Sequence, residues 1–250
     1  MAMLNIRLWL LVLLYSTALA IPAAQPIEAA LVKRARGDAS DPIDAWFSTE
    51  GWESMAEQDC YAMLCLGKGR VFQKVSSAEG DRNRGGSGAD TTPFKDDHTT
   101  KRNTERISDE TISAEEFPWA STAEGGKSPG GSTQSYVFPA TRAEQQAQGK
   151  AISFGYSGKG SDVNNGQHFR INFVGELGEY CQAAMRGDHS ICRRDNVQSV
   201  LFGVTVILAN FVFQYMRDGG VPYQFRRVGK PGKRSDILGE YPVAKISPSS

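Results

Sequence analysis

The residue types best suited to chemistry gather between Ala114 and Gly126, A-E-E-F-P-W-A-S-T-A-E-G-G, where three carboxylates stand among aromatic residues, a proline and a glycine pair. Pro118 disfavours the α region for Phe117, so the backbone should be extended or turning there. Side chains alternate along an extended segment. Glu115 and Glu116 are therefore expected to point opposite ways, one inward beside the aromatics and one outward. Only the desolvated one would have its acidity retuned. A carboxylate held rigidly on a strand suits a hard divalent cation such as Mg²⁺, which takes oxygen ligands and keeps several waters for substrate or nucleophile. Spacing alone also allows a turn with solvated acids, because two glutamates before a proline make no specific motif. A second cluster, Asp96-Asp97-His98, has the composition of a metal or general-base site, since His98 would hold its proton more tightly beside carboxylates. It lies in a stretch without apolar periodicity, and a solvated loop is expected, because a mobile segment cannot pre-organise a site.

Binding a polyanion would need clustered cations. The full chain balances 28 basic against 28 acidic residues, and removing residues 1–34 leaves 25 against 27. That near-neutral balance excludes a bulk polycation, so phosphate contact would have to come from local patches. One cluster is Lys68, Arg70, Lys74, Arg82 and Arg84; the other is Arg217, Arg226, Arg227, Lys230, Lys233 and Arg234. Read alone, such runs are solvated surface.

The elements that must position these residues are uneven in clarity. Asp41-Pro42 opens a helical region over Ala39 to Gly67, with Met55, Cys60, Met63 and Leu64 on one face. Val71 to Val75 alternates as a short strand, and 85–106 reads as a long flexible loop whose only large apolar residue is Phe94. Ser128 to Ser135 is a Gly/Ser/Pro hinge, Tyr136-Val137-Phe138 a strand, and Ala143 to Gln148 a single helical turn. Ala151 to Tyr156 and His168 to Val174 alternate apolar with polar and are expected to pair as a hairpin through Asn164-Asn165-Gly166. Val197 to Met216 is apolar but interrupted by Gln198, Asn210 and Gln214, which favours buried strand or helix over a membrane span.

Leu8 to Tyr15 is apolar, follows a lone Arg7 and precedes Ala18-Leu19-Ala20, the pattern of a signal peptide over 1–20. Lys33-Arg34 closes a propeptide over 21–34 at a dibasic site, leaving a domain over 35–227 and a tail over 228–250 with little to bury, which is expected to be disordered. Four cysteines, Cys60, Cys65, Cys181 and Cys192, favour two disulfides in a secreted chain. Either Cys60 joins Cys65 and Cys181 joins Cys192, or the helix is bridged to the Cys181 loop. Zinc suits them poorly, because no C-x-x-C pair occurs.

The Ala114–Gly126 stretch resembles the signature of the secreted deoxyribonuclease family of sporulation-type NucA/NucB nucleases, whose fungal branch carries C-D-E-Y-P-F-A-S-T-x-E-G-G. Ala114 to Thr122 and Glu124-Gly125-Gly126 match it in register. Phe138-Pro139-Ala140, Glu144-Gln145 and Gln148-Gly149 resemble the family's V-P-A-x-E-N-x-x-Q-G, with one extra residue after Ala140. The similarity spans Cys60 to Phe225.

The resemblance implies an α+β fold, a small mixed sheet with an N-terminal helix and a ββα-metal-like nuclease core. It implies a secreted, extracellular, sequence-nonspecific DNA endonuclease that uses Mg²⁺ or Mn²⁺ to hydrolyse phosphodiester bonds, with RNA open as a second substrate and no stable membrane association. Glu116 would ligate or position the metal. The bacterial relatives pair their glutamate with an upstream aspartate beside arginines, a setting that Asp81-Arg82-Asn83-Arg84 resembles; Asp81 is thus the candidate base or second ligand, although Glu79-Gly80-Asp81 by itself reads as a turn. Glu115, Glu124 and Gln145 would support the site, and Arg82, Arg84, Arg170, Arg226 and Arg227 would hold flanking phosphates without reading sequence. The chain departs from the family at Ala114 and Val137, where the family has cysteines, and at Gln145, where it has asparagine. These departures keep a second class in view, a catalytically inactive secreted protein that retains the nuclease fold and acts as a binding or effector protein.

Overall fold

The computed structural model describes residues 36–95, 104–126, 134–158, 161–194, 196–218 and 221–228. In chain order the elements are Ile43–Ser48 (β1), Glu53–Cys65 (α1), Val71–Gln73 (β2), Ser77–Ser87 (α2), Ser113–Phe117 (β3), Tyr136–Ala140 (β4), Arg142–Ser157 (α3), His168–Val174 (β5), Glu179–Arg186 (α4), Gln198–Leu201 (β6), Val204–Ile207 (β7), Phe213–Asp218 (β8) and Val221–Arg227 (β9). The fold is α+β and carries two disulfides.

Strict alternation makes β1 and β5 one-sided: Ile43, Ala45 and Phe47 turn inward, as do Phe169, Ile171 and Phe173. The two strands pair in parallel, and β2 adds antiparallel to β5, giving a mixed sheet of order β1-β5-β2. Its inner face is aromatic, with Phe47 edge-on to Trp119 at 5.1 Å and to Tyr156 at 5.9 Å between ring centroids. A second, antiparallel sheet runs β3-β4-β8-β9, and β6 pairs with β7.

Helix α1 is buried along its whole length from Ser54 to Cys65, so its polar residues must find partners inside the protein. Glu57 accepts the backbone N–H groups of Tyr180 and Cys181 at 2.8 and 3.0 Å, capping α4. Gln58 donates to Pro139 O at 2.9 Å, and Asp59 accepts from Trp119 Nε1 at 2.8 Å. Disulfides Cys60–Cys181 and Cys65–Cys192 tie α1 to the later half of the chain, which selects the helix-to-loop pairing over the local one.

Several local expectations are corrected. The first part of the helical region 39–67 is the strand β1, and the helix begins only at Glu53. Glu79-Gly80-Asp81 is not a turn but part of α2, whose N-cap Ser76 accepts the N–H of Glu79 at 3.3 Å. The loop 85–106 begins inside α2 and passes through a 3-10 turn at Ala89–Thr91, and its Phe94 is buried against Phe213. Ala151 to Tyr156 is not a strand: it continues α3, capped where Thr141 Oγ1 accepts from Glu144 N at 3.2 Å. The expected hairpin is therefore absent, and β5 takes β1 and β2 as neighbours. Gly155 lets α3 lie against β1, since a Cβ there would come within 2.2 Å of Phe47. Val197 to Met216 forms β6, β7, a 3-10 turn and the start of β8, and among the described residues no helix is long and apolar enough to cross a membrane. Asp96-Asp97-His98, the expected leader and propeptide, most of the 128–135 hinge and the tail beyond 228 lie outside the described residues.

Candidate functional site

Strand β3 lies beside β4 in antiparallel register, Glu115 opposite Phe138 and Glu116 opposite Val137, and ends at a cis Phe117–Pro118 bond. The pleat sends the two glutamates to different partners, as alternation requires. Neither points into open solvent: Glu115 is 3% and Glu116 6% exposed, so the expected outward acid is buried too. Both are covered, Glu115 by residues of α1 and α3 and Glu116 by α2.

Glu116 receives the hydroxyl of Ser87 on one oxygen, and Arg84 Nε stands 3.7 Å from the other. Arg84 and Ser87 are one turn apart on α2, hence on one face. That face is fastened to the signature loop by Asn83 Nδ2, which donates to Ala120 O at 2.9 Å and Thr122 O at 2.8 Å. Glycines permit the approach: a Cβ on Gly86 would come 1.7 Å from Gly126 O, and Gly126 itself has φ +63°. Burial pushes the Glu116 carboxyl up to about 7, against the opposing pull of Ser87 and Arg84. Such a group can hold or release a proton near neutrality.

Glu115 takes Gln148 Nε2 at 2.6 Å, and the same amide nitrogen lies 3.4 Å from Asp59 Oδ2. Asp59 is fully buried, and its Oδ1 has no protein partner. Burial first, and then the charge of Glu115, holds the Asp59 carboxyl well above the usual range, while burial raises Glu115. Two carboxyls in a dry site cannot both ionise, so the pair retains a proton at neutral pH.

Above these acids opens a cleft of about 700 Å³. Glu115, Glu116 and Trp119 line it, Arg84, Asp90 and Lys95 stand on one side, and Arg142, Gln145 and Gln148 of α3 and its N-terminus on the other. Asp90 Oδ2 sits over Gly85, 3.6 Å from where a Cβ would stand, and its charge is among those that raise Glu116. The cleft thus combines cations able to meet phosphate oxygens with buried acids able to handle a proton or a cation. Among the described residues no three His, Cys, Asp or Glu side chains gather closely enough to hold a metal by themselves. Glu116 and Asp90 both line the cleft and carry hard oxygen donors, the kind a hydrated divalent ion takes.

The sequence candidates divide. Glu115, Glu116, Gln145 and Arg84 meet at the cleft. Asp81 is exposed on α2, one turn before Arg84, and Arg82 is exposed beside it; neither lines the cleft. Glu124 instead accepts the N–H of Gln73 at 3.2 Å and braces β2. Gln145 donates to Ala114 O at 2.6 Å and accepts from Ser113 Oγ at 2.7 Å, tying α3 to β3. Arg170 pairs with Asp44 at 3.1 Å on the first sheet, Arg226 donates to Gln214 Oε1 at 2.8 Å, and Arg227 pairs with Glu105 at 2.7 Å, all away from the cleft lining. Ala114 and Val137 pack in one apolar cluster with Phe213 and Phe225. Sequence reasoning missed Asp59, Ser87, Asp90 and Arg142. Of these, Ser87 could have been found, because a helix capped at Ser76 puts it on the face of Asn83 and Arg84.

In comparison with known proteins, the family model for Deoxyribonuclease NucA/NucB matches residues 59–172. The matched region runs from Asp59 to Asn172 and contains every cleft residue named above, so this part of the chain is similar to a DNA nuclease domain. No curated protein and no solved structure matches the chain.

Proposed function

We propose that the protein is a secreted, metal-dependent DNA endonuclease without sequence preference, hydrolysing phosphodiester bonds in the cleft over β3. The observation that carries this reading is Glu116, buried at the cleft beside the exposed guanidinium of Arg84, within the region similar to the nuclease family. The order β3, β4, α3, an antiparallel pair followed by a helix, supports a ββα-metal-like core around it. Secretion is supported by the leader-like residues 1–34 and by two disulfides, which belong to oxidising compartments.

In this reading Glu116 holds Mg²⁺ or Mn²⁺, with Asp81 or Asp90 as the second acid. Such an ion supplies positive charge to polarise the scissile phosphate and stabilise the leaving oxygen. The protein's own groups do the rest. Arg84 meets a phosphate oxygen from α2, while Lys95 and Arg142 hold neighbouring phosphates. The second acid, Asp81 or Asp90, accepts a proton from water. Gln145 and Gln148 fix β3 so that its carboxylates do not swing. Arg82, Arg170, Arg226 and Arg227 can touch only a longer strand that leaves the cleft. Every invoked contact is to phosphate, so RNA remains a second substrate.

The test is supercoiled plasmid with Mg²⁺ or Mn²⁺. Nicking should vanish in chelator and fall at least 100-fold in Glu116→Gln, on the order of the loss of a general acid–base group. Of Asp81→Asn and Asp90→Asn, the one with the larger loss identifies the second acid. A second reading, a nuclease-fold secreted binding or effector protein, is favoured by Gln145, whose amide is engaged at both ends within the protein. Folded, disulfide-bonded protein that binds DNA in a salt-sensitive way without nicking it would establish that reading instead.

A further inference from the structure

The side chains of the first sheet that do not enter the core form an outer face. Asp44, Trp46 and Ser48 reach it from β1, and Arg170, Asn172 and Val174 from β5, with Trp46 opposite Asn172 and Asp44 opposite Arg170. Trp46 is 57% exposed, whereas Trp52 and Trp119 are 0% and 3% exposed. Val174 and Val71 extend the apolar surface at its edges, also exposed.

Two guanidiniums share this face, both on the β5 side of the indole: Arg170 stands diagonal to Trp46 on β5, and Arg70 reaches Asn172 from the start of β2. Arg170 pairs with Asp44 at 3.1 Å. Arg70 donates to Ile171 O at 2.9 and 2.7 Å, to Asn172 Oδ1 at 2.5 Å and from Nη1 to Met185 O at 3.4 Å, all neutral acceptors. Two positive charges therefore share one carboxylate, and the surplus is fixed in place by bonds to the strand rather than free to move. Neighbouring strands lie about 4.8 Å apart and successive residues on one face of a strand about 6.6 Å apart, and Trp46 and Arg170 are diagonal neighbours on that grid. One nucleotide can span that distance, touching the ring with its base and a guanidinium with its phosphate.

We propose that this face is a stacking platform for a single DNA strand, with Trp46 taking a base and Arg70 and Arg170 the adjoining phosphates. An aromatic face beside fixed cations binds single strands without sequence preference, because every base has a π-face and every nucleotide a phosphate. Duplex bases are stacked on one another and cannot offer that face. The choice of DNA as the polyanion rests on the function proposed above; the stacking surface does not. The platform lies outside the cleft lining, so it would tether a strand while a distant part of the same molecule occupies the cleft.

The experiment is a titration of the whole protein in chelator with a 12-nucleotide oligo(dT), reading tryptophan fluorescence. Quenching is expected, because Trp46 is the exposed indole among the described residues. Trp46→Ala should weaken binding at least fivefold, and Arg170→Ala should lower the slope of log affinity against log salt by about one. Blunt duplex of equal length should quench far less. Absence of quenching, or quenching unchanged in Trp46→Ala with unaltered circular dichroism, overturns the platform. A dimer mass in light scattering that reverts to the protomer in Trp46→Ala also overturns it, by giving the face to a second copy of the chain. Chelator removes hydrolysis from the readout. A protein that quenches but never nicks plasmid keeps the platform and loses the nuclease, and the reverse result does the opposite.

Discussion

Burying Glu115, Glu116 and Asp59 around one strand sets a conflict between stability and chemistry that pH exposes. The Glu116 carboxyl rises from 4.5 to about 7 on folding, chiefly through burial. A raised carboxyl contributes stability that is complete below pH 4.5 and is lost as pH climbs through 7, because the unfolded chain releases its proton first. At about 1.4 kcal/mol per pH unit, the loss for Glu116 is about 3 kcal/mol. Metal-free protein should therefore melt lower at pH 8 than at pH 5, and Glu116→Gln should narrow the gap; parallel melting curves for the two proteins would refute this. Part of this site was legible in the sequence: the acids before Pro118 drew attention to Glu115 and Glu116, and the resemblance to the nuclease signature singled out Glu116. The burial of both glutamates was not, because it depends on α2 closing over one face of β3 and α1 and α3 over the other. Asp59 was hidden for the same reason: nothing local couples a helical aspartate to a glutamate 56 positions later.

Helix α2 reaches Glu116 only because glycine meets glycine where it crosses the signature loop. Gly86→Ala would drive a methyl group into the Gly126 carbonyl and lift Arg84 and Ser87 away from the acid. Overpacking of this kind costs about 1–3 kcal/mol. Activity should fall at least tenfold while circular dichroism stays native-like; full activity with a crystal structure showing α2 unmoved would refute the claim. The closing Gly125-Gly126 of the signature thus has a steric meaning that spacing alone did not reveal. Helix α2 escaped sequence reading and α3 was read only as a single turn, although their starts were written in the sequence, Ser76 with Glu79 and Thr141 with Glu144, each a Ser or Thr followed three residues later by Glu. Alternation over Ala151 to Tyr156 imitated a strand. The inward set in α3, Gln148, Gly155 and Tyr156 with half-buried Ile152, follows the helical period, while Phe154 is 75% exposed. A glutamine and a glycine on the buried face concealed that period from a reading based on apolar residues.

Across the whole molecule, the two disulfides close loops of 121 and 127 residues and differ in what they neighbour. Cys60–Cys181 adjoins Asp59 and is fully buried, whereas Cys65–Cys192 lies at the end of α1. Removing either by paired Cys→Ala substitution should cost about 2–5 kcal/mol in urea unfolding. Only loss of the Cys60 bridge should also reduce nicking, through Asp59 and Glu115; equal loss of activity in both variants would refute this distinction. The parallel pairing of β1 with β5 has a further consequence, for timing. Ile43 finds its partner only at Phe169, so the contacts that close the first sheet are among the most distant in the sequence. Long-range pairing of this kind is slow, because chain entropy must be given up before any contact rewards it. Helix α3, which supplies one wall of the cleft, packs on β1 and so waits on the same event. A chain that emerges N-terminus first cannot complete its cleft until Val174 has followed, so the cleft is among the last parts of the molecule to form.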